Sequence, residues 1–289
     1  RGSMNLKKYT LILLFLCFSL ANKEQFNRIY GADLYADSSK ESLQASTKTY
    51  NLFTKSSFID EASWQQVSPY LLPSDHPIKN QLDAIFTNVR ATTSVKTFQK
   101  AGFECIALRK WDNVVVAWHR KLKGYLVKAY MDSQIGIDDQ IALMKRIEGA
   151  EAIRTAIQVL GYESYFKVPK KWLYLLPDFP PAQAELQRKK FILVEEDMNL
   201  VSASKNAKLW KKEITKELLK GLYVLLQNLG LKDSVYITNI PFSKDGKIAF
   251  VDTEHHHQWP IKFTRLTHCL NPEMQTYWLN LIVTDGLAD

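Results

Sequence analysis

Between residues 103 and 130, apolar and polar positions alternate in three short runs: Phe103 to Leu108, Asn113 to Trp118 and Gly124 to Tyr130. They are rich in β-branched and aromatic residues, and Trp111-Asp112-Asn113 and Lys121-Leu122-Lys123 supply the turns, so the pattern predicts an antiparallel three-strand meander. The period then changes. Ile141, Met144, Ile147, Ala150, Ile153, Ile157 and Leu160 fall on one stripe of a helix opened by Asp138-Asp139 and stopped by Gly161. Two further strands, Trp172 to Leu176 and Lys190 to Val194, flank a proline-rich turn, and Glu195-Glu196-Asp197 ends the second. A long helix follows from about Ala207 to Leu229, its core stripe made by Leu209, Ile214, Leu218, Leu222 and Leu225 and its end marked by Gly230. A hairpin, Val235 to Phe242 and Lys247 to Val251, precedes a tail that is helical around Met274 to Val283. Residues 61–100 carry shorter helical signals between prolines, the clearest from Ile78 to Val89. The order describes an α+β protein with five strands around one inserted helix, then a mainly helical half.

Composition narrows the class. With 46% hydrophobic and 24% charged residues, 11 Gly and 10 Pro, collagen, low-complexity disorder and a multi-span membrane protein are excluded. Three cysteines in 289 residues exclude a disulfide scaffold and a cysteine-rich zinc module. Arg1-Gly2-Ser3 before Met4 reads as a vector-derived scar. Lys7 and Lys8, the apolar run from Leu11 to Leu20 and Ser19-Leu20-Ala21 then form a secretory signal, so the chain is expected to be exported, to a periplasm or beyond the cell. The run is short for a membrane span, and none is expected in the mature chain. Without Arg1, Lys7 and Lys8 the chain carries 35 bases against 30 acids, a mild excess that argues for no nucleic-acid partner. The expected divisions are signal and scar over 1–21, a polar arm over 22–60, a helical extension over 61–100 and two lobes over 101–197 and 198–289.

The element order and the residues at its junctions resemble the protein kinase-like superfamily, over roughly residues 100–285. Gly124-Tyr125-Leu126-Val127-Lys128-Ala129-Tyr130 is similar to the strand whose lysine contacts nucleotide phosphates. The next helix offers Glu148 or Glu151 as that lysine's ion-pair partner, and Glu-Ala-Ile-Arg favours Glu151. The segment from Phe191 to Glu195, Glu196 and Asp197 resembles the strand entering the hinge, where backbone would hold an adenine edge. Asn239-Ile240-Pro241-Phe242, a turn at Gly246 and Ile248-Ala249-Phe250-Val251-Asp252 resemble the segments that bear the two magnesium ligands. The resemblance implies a two-lobe fold with a five-stranded antiparallel N-lobe sheet, one helix and a shortened helical C-lobe. It further implies ATP and magnesium as cofactors, Lys128 on the phosphates, Glu151 orienting it, Asn239 and Asp252 on the metal, and Asp233 as catalytic base.

The departures point the other way. The base is expected five residues before the metal-binding asparagine, where Ser234 stands, with Asp233 one place earlier. The first turn has no glycine-rich loop to cover phosphates, Asp252-Thr253-Glu254 replaces Asp-Phe-Gly, and only 35 residues follow Glu254. A catalytically inactive pseudokinase, needing no cofactor and binding a protein partner, is the alternative. An α+β domain unrelated to kinases is a third reading and would leave Lys128 far from Asp252. His255-His256-His257 lacks the spacing of a shared metal site, although His255 or His257 can face the same cleft as Asp252. The lysines between 205 and 220 read first as a solvated face, with an anionic surface as the other use. Cys105 and Cys269 are equally well read as a disulfide or as two buried thiols.

Overall fold

Strand β1 (Phe103–Ala107), β2 (Val115–His119) and β3 (Tyr125–Ala129) form the expected meander. The computed structural model describes residues 56–107 and 114–287, so the turn at Trp111 and the segments over 1–21 and 22–55 lie outside the described residues. Beyond β3 come helix α4 (Asp139–Val159), the short β4 (Phe166–Lys167), β5 (Lys171–Leu175) and β6 (Phe191–Glu196); the helices α1 (Glu61–Val67), α2 (Lys79–Phe86) and α3 (Val95–Lys100) precede the sheet. The five long strands join in the order β1-β2-β3-β6-β5, each antiparallel to its neighbour. The α+β class and the five-stranded antiparallel sheet are thus present.

Alternation sorts the sheet's two faces. Val127, Ala129, Tyr174, Ile192 and Val194 point to a core completed by Leu72, Leu82, Phe86 and Phe98 from the N-terminal extension. Phe98 stacks on Phe103 with ring centroids 4.0 Å apart, and the Tyr174 hydroxyl donates to Asp83 Oδ1 at 2.8 Å. Leu72 N donates to Leu173 O at 2.7 Å, so the extension also covers the open edge of β5. The other face carries Lys128, Lys171, Leu173, Leu193 and Glu195, all buried, towards α4.

A second hydrophobic cluster gathers the C-terminal half of α4, Phe166 and Val168 with α5 (Ala203–Lys212), α6 (Lys216–Leu229) and α7 (Pro272–Val283). Trp210 and Trp278 are fully buried there. Residues 166–168 therefore pack with the helical half although they precede β5 in sequence. The clusters belong to one compact unit, residues 54–289. Among the described residues no helix is long and apolar enough to cross a membrane.

Three elements differ from expectation. The single helix over 207–229 is two helices, because Thr215 leaves the helical conformation (φ −111°, ψ 166°) and caps α6 by accepting from Leu218 N. Buried Ile214 keeps the apolar stripe continuous across the break, which hides it in the sequence. The hairpin over 235–251 reduces to β7 (Ile248–Ala249), which pairs in parallel with β4, and an isolated bridge from Phe242 to Ile248. Finally, β6 does not stop at Val194: Glu195 and Glu196 are strand residues, paired with β3 and β5. Cys105 and Cys269 are free thiols, and burial pushes both pKa values up.

Candidate functional site

On the α4-facing side of the sheet, the residues at 171 and 195 are direct cross-strand partners, and Lys128 lies diagonally across from Glu195. Glu195 thereby receives two ammonium groups, Lys128 Nζ at 3.1 Å from Oε1 and Lys171 Nζ at 3.2 Å from Oε2. Both lysines also donate to one carbonyl, that of Val251, at 2.9 and 3.2 Å. Lys171 adds Thr253 Oγ1 at 3.0 Å, and the Thr253 hydroxyl donates to the carbonyl of Arg146 on α4. Arg146 in turn reaches over residues 251–254, pairing with Asp252 Oδ1 at 2.7 Å and with Glu254. Three cations from β3, β5 and α4 thus face three carboxylates from β6 and the 251–254 segment.

One glycine permits this closeness. A Cβ at Gly149 would lie 1.9 Å from Thr253 O and 2.9 Å from His256 Nδ1, so only a residue without a side chain lets α4 touch the segment carrying Asp252.

The electrostatics follow from burial and pairing. Burial works to raise the Glu195 carboxyl pKa, but Lys128 and Lys171 outweigh it and hold it below the ordinary range. At Asp252 burial is likewise outweighed, here by Arg146, then Lys128 and Lys171. Lys171 goes the opposite way: complete burial, only partly offset by Glu195, pulls its pKa down to about 7. An unfolded lysine holds its proton to about pH 10.5, so between about 7 and 10.5 the unfolded chain binds the extra proton and Lys171 makes folding more favourable as pH rises. The stability of the wild type relative to Lys171→Met, from urea unfolding at pH 7.5 and 9.5, should therefore increase with pH. Parallel curves would show that Lys171 titrates normally.

The sequence-derived residues divide into those brought together and those kept apart. Lys128 and Asp252 converge: the Lys128 ammonium bonds the carbonyl of the residue just before Asp252. Asn239 lies alongside, its carbonyl accepting from Val251 N at 3.0 Å and its side-chain amide donating to Asp233 O at 3.0 Å. Asp233 pairs with His255 at 3.5 Å, both side chains about two-fifths exposed (36% and 41%). Glu151 is not with Lys128; its carboxylate pairs with Arg154 one turn on. Glu148 is the acceptor for the Tyr70 hydroxyl at 3.3 Å. The partner expected from the helix is instead supplied by Glu195, whose expected part was backbone in a hinge. Asp197 closes a local turn by accepting from Asn199 N, while its own N–H donates to Gly124 O.

Lys171, Arg146 and Gly149 escaped the sequence reading, yet each left a signal. Lys171 shares the inward face of its strand with Leu173, an unusual place for a lysine without a partner. Gly149 sits inside an otherwise strong helix, where glycine costs about 1 kcal/mol relative to alanine and so points to a close contact. Arg146 lies one position before Ile147 of the apolar stripe and is itself buried.

The donor set does not fit magnesium as it stands. Asp252 has a guanidinium at 2.7 Å, where a divalent ion would meet positive charge. Among the described residues no group of three His, Cys, Asp or Glu side chains could hold a metal ion. No protein-family model matches the chain, and no match to it was found among the curated proteins.

Proposed function

We propose that the chain is a kinase-like protein whose cleft is held by its own charge network, and that it is a pseudokinase acting as a binding module in an exported, envelope-associated or secreted setting. The convergence of Lys128 with the 251–254 segment favours the kinase-like reading over an unrelated α+β fold. The observation that carries the inactive assignment is Arg146, whose guanidinium holds Asp252 and Glu254 together. Lys128 is paired with a glutamate of the sheet, Glu195, rather than one of the helix, and its ammonium is further engaged by the Val251 carbonyl inside the protein. The absent glycine-rich loop and the displaced Asp233 agree with this reading.

One observation favours a second reading, an active ATP- and magnesium-dependent kinase. The Asp252 side chain keeps about a third of its surface open (36%), and Asp233 the same, so both are reachable from solvent if Arg146 lets go.

Thermal unfolding with millimolar ATP, with and without magnesium, separates the two. A ligand at a hundredfold excess over Kd adds about 2.7 kcal/mol, a rise on the order of 5–10 °C for a domain of this size. The pseudokinase reading expects no magnesium-dependent rise in the wild type and no phosphoryl transfer. A magnesium-dependent rise that vanishes in Asp252→Asn, together with ATP turnover, would establish the active enzyme instead.

A further inference from the structure

Helix α5 presents a surface that the cleft does not explain. Its buried residues, Asn206 and Trp210, are one turn apart. With 3.6 residues per turn, Lys205, Lys208, Lys211 and Lys212 fall within about 120° of arc, centred opposite those two. All four are exposed, and none makes an ion pair among the described residues. No acid lies within the helix. Like charges three and four residues apart oppose the helix by a few tenths of a kcal/mol each. The helix dipole favours Lys211 and Lys212 in the last turn, but it disfavours Lys205, which sits in the first turn with its N–H on the Ser202 cap. Local stability therefore gives no reason for the pattern; an anionic partner does.

The surroundings say which anion. Asn271, the cap of α7, donates to the Lys211 carbonyl at 3.1 Å, so α7 starts against the end of α5. Along α7, Leu279 (42% exposed) and Val283 (84%) stand open to solvent one turn apart. They share a shallow groove with Lys216, whose ammonium rests on the Tyr277 ring. In that groove, which Glu273 also lines, Lys216 beside exposed aliphatic side chains has the composition of a lipid–water interface, where amines meet headgroup charge and aliphatic groups enter the acyl boundary. The outer arc of α5 has neither the arginine forks nor the stacking rings that a nucleic acid would use.

We propose that the outward face of α5, together with Leu279 and Val283 of α7, docks on an anionic membrane surface. The proposal stands on these helices alone and is independent of the pseudokinase reading. The test is co-sedimentation of the full chain with vesicles of phosphatidylcholine alone or mixed with phosphatidylserine, at low and high salt. Comparison within the full chain cancels any contribution of its N-terminal apolar run. Replacing Lys205, Lys208, Lys211 and Lys212 together by glutamine should weaken partition onto the anionic vesicles on the order of a thousandfold. Near-ultraviolet circular dichroism should show the fold unchanged, and high salt should have the same effect on the wild type. Leu279→Ser with Val283→Ser should weaken binding several-fold while leaving its salt dependence. Equal binding by the four-lysine variant, or equal binding to neutral vesicles, would overturn the proposal. Vesicle binding unchanged by the two serines would overturn the part assigned to α7. Binding of duplex RNA or DNA through the same lysines, without vesicle binding, would transfer the face to nucleic acid.

Discussion

Glu195→Ala should lower the unfolding midpoint by on the order of 10 °C and should be the most damaging single change in the charge network. The side chain is almost fully buried and answers two ammonium groups. Removing one partner of a buried ion pair leaves an uncompensated charge and costs roughly 3–5 kcal/mol, while each kcal/mol moves the midpoint of a domain this size by about 2–4 °C. Here Lys128 is stranded on the Val251 carbonyl and would pull Asp252 away from Arg146, while Lys171 loses the carboxylate that favours its charged form. Lys171→Met should be far milder, because Lys128 still pairs with Glu195 and a methionine fills the apolar part of the site. Adding Lys171→Met to Glu195→Ala should then recover part of the loss, a coupling that scanning calorimetry on the four proteins would read. Equal losses for the two single variants would mean that the network is held by packing rather than charge.

Gly149→Ala should be comparably severe for a different reason. Alanine normally favours a helix interior by about 1 kcal/mol over glycine, so propensity alone predicts stabilisation. The added carbon would instead lie 1.9 Å from a backbone carbonyl, which cannot rotate aside as a side chain can. Either α4 or the 251–254 segment must move, and overpacking of this kind costs typically 1–3 kcal/mol and more against backbone. Displacing that segment separates Thr253 from the Arg146 carbonyl and Asp252 from the guanidinium. The variant should therefore unfold at lower temperature and expose the segment to faster amide hydrogen exchange. Protection unchanged at 251–254 would show that the helix, not the segment, gives way.

Much of the sheet was legible because strands half-buried between two layers alternate cleanly. Phe103, Val115, Ala117 and Val127 mark one face, and turn residues mark the ends. The break at Thr215 was not, since one residue can act as a cap while its neighbour Ile214 continues the apolar stripe. The shortened hairpin was misread because Val235, Ile240 and Phe242 are apolar for packing into the helical core rather than for strand pairing. For the site, Lys128 and Asp252 could be picked out through their similarity to a known arrangement. The partner of Lys128 could not: Glu195 competes with Glu148 and Glu151 only in three dimensions, through the register that sets it opposite Lys171. Charge pairs between distant segments leave little periodic trace, so Arg146 and Lys171 emerged only with the tertiary contacts.

The N-terminal extension bears on how the polypeptide can be divided. Its Phe86 and Phe98 close one face of the sheet, and its backbone lies along the edge of β5. A fragment starting at residue 101 would leave Val127, Ala129, Ile192 and Val194 facing water and an unpaired strand edge beside them, the two features that drive self-association. The extension is thus part of the sheet's own packing, and a truncation that keeps both the face and the β5 edge covered has to begin before Leu71.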